Sequence, residues 1–339
     1  MRNHEVTKEH KLLDENGQLI EPGWSRRLIQ EYNREMIKAP KWRIKEWDYY
    51  LVTGKDFAAA FTISDDGYIG LQSVSLLELG DEPWEHTETI LNALPLGRIG
   101  LPCTSSDCVT KYSDRRLKLR FDARKGKRRI RCRFEDFCDG KPFECDIVLR
   151  QPEMDSMVIA TPWDTKHAFY YNQKINAMRA EGEISYNGKI YRFDPATDFG
   201  TLDWGRGVWT YDNCWLWGTG NADIDGHAFG FNLGYGFGNT SAATENIIIY
   251  DGKAHKLDDV TFNIPDDLME KWTITSSDGR FEAELVPVLD RAACIDFKLL
   301  ISDQHHVFGR LTGKAVLDDG TVIEMKDIMC AVEKVHNRY

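Results

Sequence analysis

Residues 199–217, FGTLDWGRGVWTYDNCWLW, place four of the chain's ten tryptophans beside Asp203, Arg206 and Asp212. Wide aromatic faces next to a few fixed polar groups suit a concave small-molecule site. Charges inside an apolar cluster need either a partner or a function. If CWLW is a strand, Trp215 and Trp217 lie on one face and form a flat apolar wall. Trp204, Trp209 and Tyr211 extend the aromatic surface. A carboxyl against an indole wall is desolvated, which favours its proton-bearing form. On that ground Asp203 is a candidate general acid. The competing reading pairs Asp203 with Arg206 and leaves it shaping a turn.

Two flanking segments supply further polar groups. In residues 230–250 the glycines at 230, 234, 236 and 238 sit among Asn232, Tyr235, Thr244, Glu245 and Asn246. No helix pattern follows, so a phosphate cradle is not expected. Glycines in a strand mark bulges or close backbone approach. Glu245 is a candidate second carboxylate, and Asn232, Tyr235 and Asn246 are candidate ligand contacts. In residues 160–178, Trp163 precedes a strand pattern in which Tyr170, Asn172, Lys174 and Asn176 share one face. That row is either a polar barrel wall, with Asn172 and Lys174 as ligand contacts, or the default solvent-facing surface.

The elements that must position these groups read as strands. From Trp47 onward, short alternating segments are separated by turn signals such as Asp65-Asp66-Gly67, Lys125-Gly126, Asn187-Gly188, Asp251-Gly252 and Asp278-Gly279. One exception is expected near the start, where residues 28–38 have the periodicity of a short helix. No βαβ alternation appears. The reading is an all-β chain of two packed antiparallel barrel or sandwich units. Their division is placed near residue 200, as 1–200 and 201–339, with the aromatic segment at the seam.

Composition bounds the function. The net charge of −11 argues against a general nucleic-acid or membrane-surface binder. No signal peptide or membrane-length apolar run is visible, so a cytoplasmic location is expected. The eight cysteines contain no CxxC pair and read as free thiols without a metal. His305 and His306 point to opposite strand faces and are not expected to chelate together. Residues 111–133 hold twelve Lys or Arg and two acids. They predict a hairpin with one basic and one apolar face, solvated or open to an anionic partner. GxSxG, HExxH, Walker A and Rossmann fingerprints are absent.

The stretches NGQLIEPGWSR, KWRIKEWDYY, TPWDTKHAFYYNQKINAM, LDWGRGVWTYDNCWLWG and GFNLGYGFGNTSAATEN together resemble the domain of unknown function 2804 family. More distantly, the chain is similar to tandem lipocalin-like proteins related to carotenoid hydratases, tocopherol cyclases and fungal Diels–Alderases. Asp203-Trp204-Gly205 followed by Trp215 and Trp217 carries that similarity. It implies two joined β-barrels with a ligand between or inside them, and acid- or shape-based catalysis without metal or organic cofactor. The site segments are richer in Arg, Asn and Glu than a polyene tunnel needs. The expectation is a cofactor-independent enzyme that hydrates, cyclises or isomerises a small organic substrate, with Asp203 as acid, Glu245 as second carboxylate and Arg206 as electrostatic partner. A lipocalin-type ligand-binding protein and a carbohydrate-active enzyme with paired carboxylates are the alternatives. The sequence leaves the oligomeric state open.

Overall fold

The computed structural model describes residues 2–296 and 301–338. The chain is all-β; apart from a short parallel pair, His10–Lys11 with Gln30–Glu31, its described strands form two curled antiparallel sheets. In the first, the order is Trp84–Ala93, Ile69–Glu78, Phe57–Asp65, Ile44–Thr53, Phe199–Val208, Phe169–Tyr186, Lys141–Arg150, Lys127–Cys138, Leu117–Arg124, Cys108–Ser113. In the second it is Lys253–Lys256, Ile247–Tyr250, His227–Tyr235, Asp212–Ile224, Val322–Arg338, Ile301–Val316, Phe281–Asp296, Trp272–Ser276, Val260–Asn263. The last strand of the first sheet ends at Val208 and the second sheet begins at Asp212. Residues 201–208, assigned by the sequence reading to the second unit, therefore lie in the first sheet.

Alternation builds each core. Inward side chains such as Phe61, Phe134, Ile147 and Trp204 fill the first sheet's concave face. Phe231, Trp272, Phe281 and Leu311 fill the second. Each fully buried side chain of this size contributes roughly 1.5–3 kcal/mol. The Asn187-Gly188 and Asp251-Gly252 corners have positive φ at both residues, as a tight hairpin turn requires.

The expected helix over 28–38 is not formed. The structure has a two-residue strand, Gln30–Glu31, then a single 3₁₀ turn, Arg34–Met36, capped by Asn33. Tertiary contact overrides the local period here. Tyr32 must enter the first core, where it meets Trp204 edge-on at 6.2 Å and donates to Glu46 at 2.8 Å.

The basic hairpin forms at Lys125-Gly126, and its outer arginines are paired within the protein. Arg129 meets Asp146, Arg131 and Arg120 meet Asp122, and Arg133 meets Glu135 and Glu144. Arg128 points the other way and donates to the Tyr50 hydroxyl and the Ser105 carbonyl.

A buried polar weld joins the sheets. Asn176 donates to Thr219 Oγ1 at 2.7 Å and to the Phe231 carbonyl at 2.9 Å. The Ala177 N–H donates to Asn221 Oδ1 at 2.7 Å, and Asn221 donates to Thr201 Oγ1 at 2.9 Å. The row Tyr170, Asn172, Lys174 and Asn176 is thus buried between the sheets, not turned to solvent. A second sheet docks on it, which a single strand's pattern does not reveal.

Candidate functional site at the seam

Register sets two facing rows. On the first sheet, Lys174, Asp203 and Tyr49 are direct cross-strand neighbours on one face. On the second, Trp217, Glu333, His306 and Arg291 form a matching row. Side chains in register on adjacent strands are close enough to interact. Across the seam, the Lys174 ammonium lies 4.4 Å from the Trp217 ring centre, and Tyr49 meets Trp217 edge-on at 6.4 Å.

Asp203 is the hub of the first row. Its Oδ1 accepts from Asn172 Nδ2 at 2.7 Å and from Trp47 Nε1 at 3.1 Å. Its Oδ2 accepts from Lys174 Nζ. Gly205, two residues along the strand and paired with Trp47, leaves room for it, because a Cβ there would lie 2.0 Å from the indole. Asp203 is therefore not the bare carboxyl on an apolar wall that the sequence suggested: three donors converge on it.

Two other carboxyls reach the same place. Glu245 comes from the loop before Ile247–Tyr250 and is fully enclosed. Tyr170 Oη donates to it at 3.3 Å and Asn232 Nδ2 at 3.4 Å. Burial pushes its pKa up to about 6, against the pull of Lys174. Gly234 makes this approach possible, since a Cβ would lie 2.6 Å from Glu245 Oε1. Asn246 steadies the loop by accepting from the Gly234 N–H at 2.7 Å and donating to the Asp258 carbonyl at 2.8 Å. Glu333 accepts from Trp215 Nε1 at 3.2 Å, and burial pushes its pKa up as well. His306 is driven well below its ordinary value by burial and by Arg291, whose guanidinium donates to its Nδ1.

Aromatic side chains wall this cluster. Trp209 contacts Trp47, Trp163, Tyr170, Trp215 and Phe237 with ring centres 5.3–6.3 Å apart. Trp217 Nε1 donates to Asn232 at 2.7 Å. The floor, with Asn172, Lys174, Trp217 and Glu245, is buried. The rim is not: the Asp203 side chain is 13% exposed and that of Glu333 22%. Trp47, Tyr49, Trp163 and Trp215 are half-buried. Asn172 Oδ1 and Trp209 Nε1 are buried polar atoms with no hydrogen-bond partner, a state that needs a reason.

Of the sequence candidates, Asp203, Glu245, Asn172, Lys174, Trp163, Trp209, Trp215, Trp217 and Asn232 come together here. Arg206 and Trp204 do not. Arg206 lies three positions after Asp203, an odd offset, so period two turns them to opposite faces. Arg206 is wholly buried in the first unit, donating to Asp48 at 2.9 Å and to the Trp47, Gly205 and Pro102 carbonyls. The expected Asp203–Arg206 pair is therefore not formed. Trp204 lies under the Arg206 guanidinium and against Tyr171. Tyr211 is 53% exposed, and Tyr235 stands outside the cluster against Phe262. Sequence reasoning missed Trp47, Tyr49, Arg291, His306 and Glu333, and did not name Tyr170 as a contact. Glu333 carried the same signal as Asp203, a carboxylate set in an apolar strand run.

Fold and seam define a two-sheet antiparallel β protein with an aromatic, carboxylate-rich cluster between its sheets. The chain belongs to the family described as domain of unknown function DUF2804, whose profile matches residues 3–339. No relative among curated proteins matches the sequence. Solved structures similar to it include an AttH-type protein of Nitrosomonas europaea, at 12% identity and TM-score 0.49 over 90% of this chain and 96% of that one. CghA with Sch210972 matches at 8% identity and TM-score 0.48, over 98% and 97%. Kievitone hydratase from Nectria haematococca matches at 11% and 0.44, over 87% and 88%. No helix among the described residues is long and apolar enough to cross a membrane.

Proposed function

We propose that the seam binds a small organic substrate and catalyses an acid-assisted addition, cyclisation or isomerisation through the protein's own side chains. One observation carries this reading: three carboxyls, Asp203, Glu245 and Glu333, gather around the Lys174 ammonium inside an aromatic wall whose rim reaches solvent. Glu245, with its pKa near 6, is the group suited to hold and release a proton close to neutral pH. This moves the acid from Asp203 to Glu245. Asp203 acts as an electrostatic anchor that fixes Lys174, Asn172 and Trp47. Protonation of a carbon–carbon double bond by Glu245 leaves a cation, and the faces of Trp209 and Trp215 stabilise positive charge. In a hydration, water captures that cation and returns its extra proton to the Glu245 carboxylate; in a cyclisation, an internal alkene captures it and the new cation loses a neighbouring proton to the same carboxylate; direct loss of a neighbouring proton to the carboxylate gives an isomer.

The test is a panel of alkenes, conjugated dienes and enones, each bearing one polar group. Mass spectrometry then looks for the gain of one water or for a mass-neutral product. Glu245→Gln should lower turnover roughly 10²–10⁴-fold with affinity little changed. Binding without turnover across the panel would favour a carrier. Unchanged turnover in a stable Glu245→Gln protein would refute the assignment.

A further inference from the structure

The face of the second sheet turned away from the seam carries, at one end of its strands, a group that the seam does not use. Asp212 and Cys214 lie two apart on the strand Asp212–Ile224, so they share a face. His336, on Val322–Arg338, is the direct cross-strand partner of Cys214. One ligand atom from each of the three residues lies within 4.8 Å of the others. His336 Nε2 meets Asp212 Oδ1 at 2.9 Å, while Arg338 holds the other carboxylate oxygen at 2.9 Å. Cys214 is a free, exposed thiol.

We propose that Asp212, Cys214 and His336 form a binding site for a borderline divalent cation of the zinc type. Thiolate, imidazole and carboxylate are together the donor set such an ion takes. The strand geometry pre-aims two donors from one strand and one from its neighbour. Arg338 fixes the Asp212 carboxylate with Oδ1 turned toward His336, the role an outer partner plays for a ligating group. On binding, the Cys214 thiol gives its proton to solvent, and neutral His336 holds the ion through Nε2 with its one ring proton on Nδ1. Three protein donors leave the fourth position to water.

The placement also gives the site a consequence. Trp215 and Glu333, on the opposite faces of the same two strands, bond to each other inside the seam. An ion there would tie together the two strands whose seam faces carry that contact. This site stands independently of the function proposed for the seam.

The test uses the full-length protein, stripped with a chelator and titrated with Co²⁺ and then Zn²⁺. One equivalent of Co²⁺ should bind and give a sulfur-to-metal charge-transfer band. Zn²⁺ should displace it and raise the melting temperature. Cys214→Ser should abolish the band, and Asp212→Asn or His336→Gln should weaken binding more than about tenfold. Cys103→Ser, at another exposed thiol, should change nothing. A band that survives Cys214→Ser, or equal affinity in the His336→Gln protein, would overturn the assignment. So would the absence of stoichiometric binding, which would leave a surface ion-pair cluster only.

Discussion

Replacing Asp203 with Asn tests the electrostatics of the seam atom by atom. Oδ1 takes the bonds from Asn172 and Trp47, and an amide oxygen keeps both. Oδ2 faces the Lys174 ammonium, and there the amide nitrogen sets donor against donor. Lys174 is 2% exposed, so it cannot turn to water. Removing one member of a buried pair costs about 3–5 kcal/mol. Glu245 still attracts the ammonium, so the lower end applies, about 3 kcal/mol. At roughly 2 °C per kcal/mol for a chain of this size, the melting temperature should fall by about 6 °C. Lys174→Met removes the charge and lays a thioether on Trp217, which indole faces accept well. In the Asp203→Asn/Lys174→Met protein neither charge remains, so the loss should not exceed that of Asp203→Asn alone. Urea denaturation followed by tryptophan fluorescence gives the full double-mutant cycle. A single Asn variant within about 1 kcal/mol of the parent, or additive effects in the double variant, would refute the pairing.

Three further outcomes are expected. Gly205→Ala puts a Cβ 2.0 Å from the Trp47 indole and should cost about 1–3 kcal/mol while releasing the Trp47–Asp203 bond, read as a shift in tryptophan emission. The Glu245 pKa is raised from 4.5 to about 6, so its contribution to stability is complete below pH 4.5 and is lost as pH rises through about 6. With Lys174, Asp203, Tyr170 and Asn232 unchanged around it, Glu245→Gln should gain about 2 kcal/mol on the parent between those limits, and parallel pH–stability curves would contradict this. Arg129→Ala breaks an exposed pair with Asp146 and should change stability by less than about 1 kcal/mol, measured by thermal melting.

The strand pattern was legible because period-two alternation and Asn-Gly or Asp-Gly corners are local signals. Asn187-Gly188 and Asp251-Gly252 turn where those residues demand it. The polar face of the strand Phe169–Tyr186 was harder. Asn172 and Lys174 could be read either as a barrel wall or as a wet surface, because alternation reports two different faces without saying what covers either one. Only the docking of the second sheet buries them. The Asp203–Arg206 pairing failed for a reason already in the sequence: an odd spacing on a strand separates the two side chains. Residues 28–38 have helical spacing, but Tyr32 and its bond to Glu46 hold the segment across the first core. Glu333 and His306 went unassigned because they reach the seam from strands more than a hundred residues beyond Asp203, through register that no local window contains.

Two of the buried charged networks, around Arg206 and around Lys174, end differently. Around Arg206, three of the guanidinium's hydrogen bonds run to backbone carbonyls, including that of Pro102 in the loop before Cys108–Ser113. Its acidic partners Asp48 and Glu46 are buried as well. That network ties backbone to backbone and holds a loop against the first sheet. Around Lys174 the bonds run from side chain to side chain, and the outermost carboxylates, Asp203 and Glu333, retain contact with solvent. A buried ion pair is weak evidence for stability, since apolar groups of the same volume often serve as well. The seam keeps three carboxyls where an apolar interface would hold two sheets together at lower cost. Asn176 and Asn221 already join the sheets a few residues away. Cohesion therefore does not explain the Lys174 cluster, and its opening toward solvent among indole rings is what directs the functional reading to it.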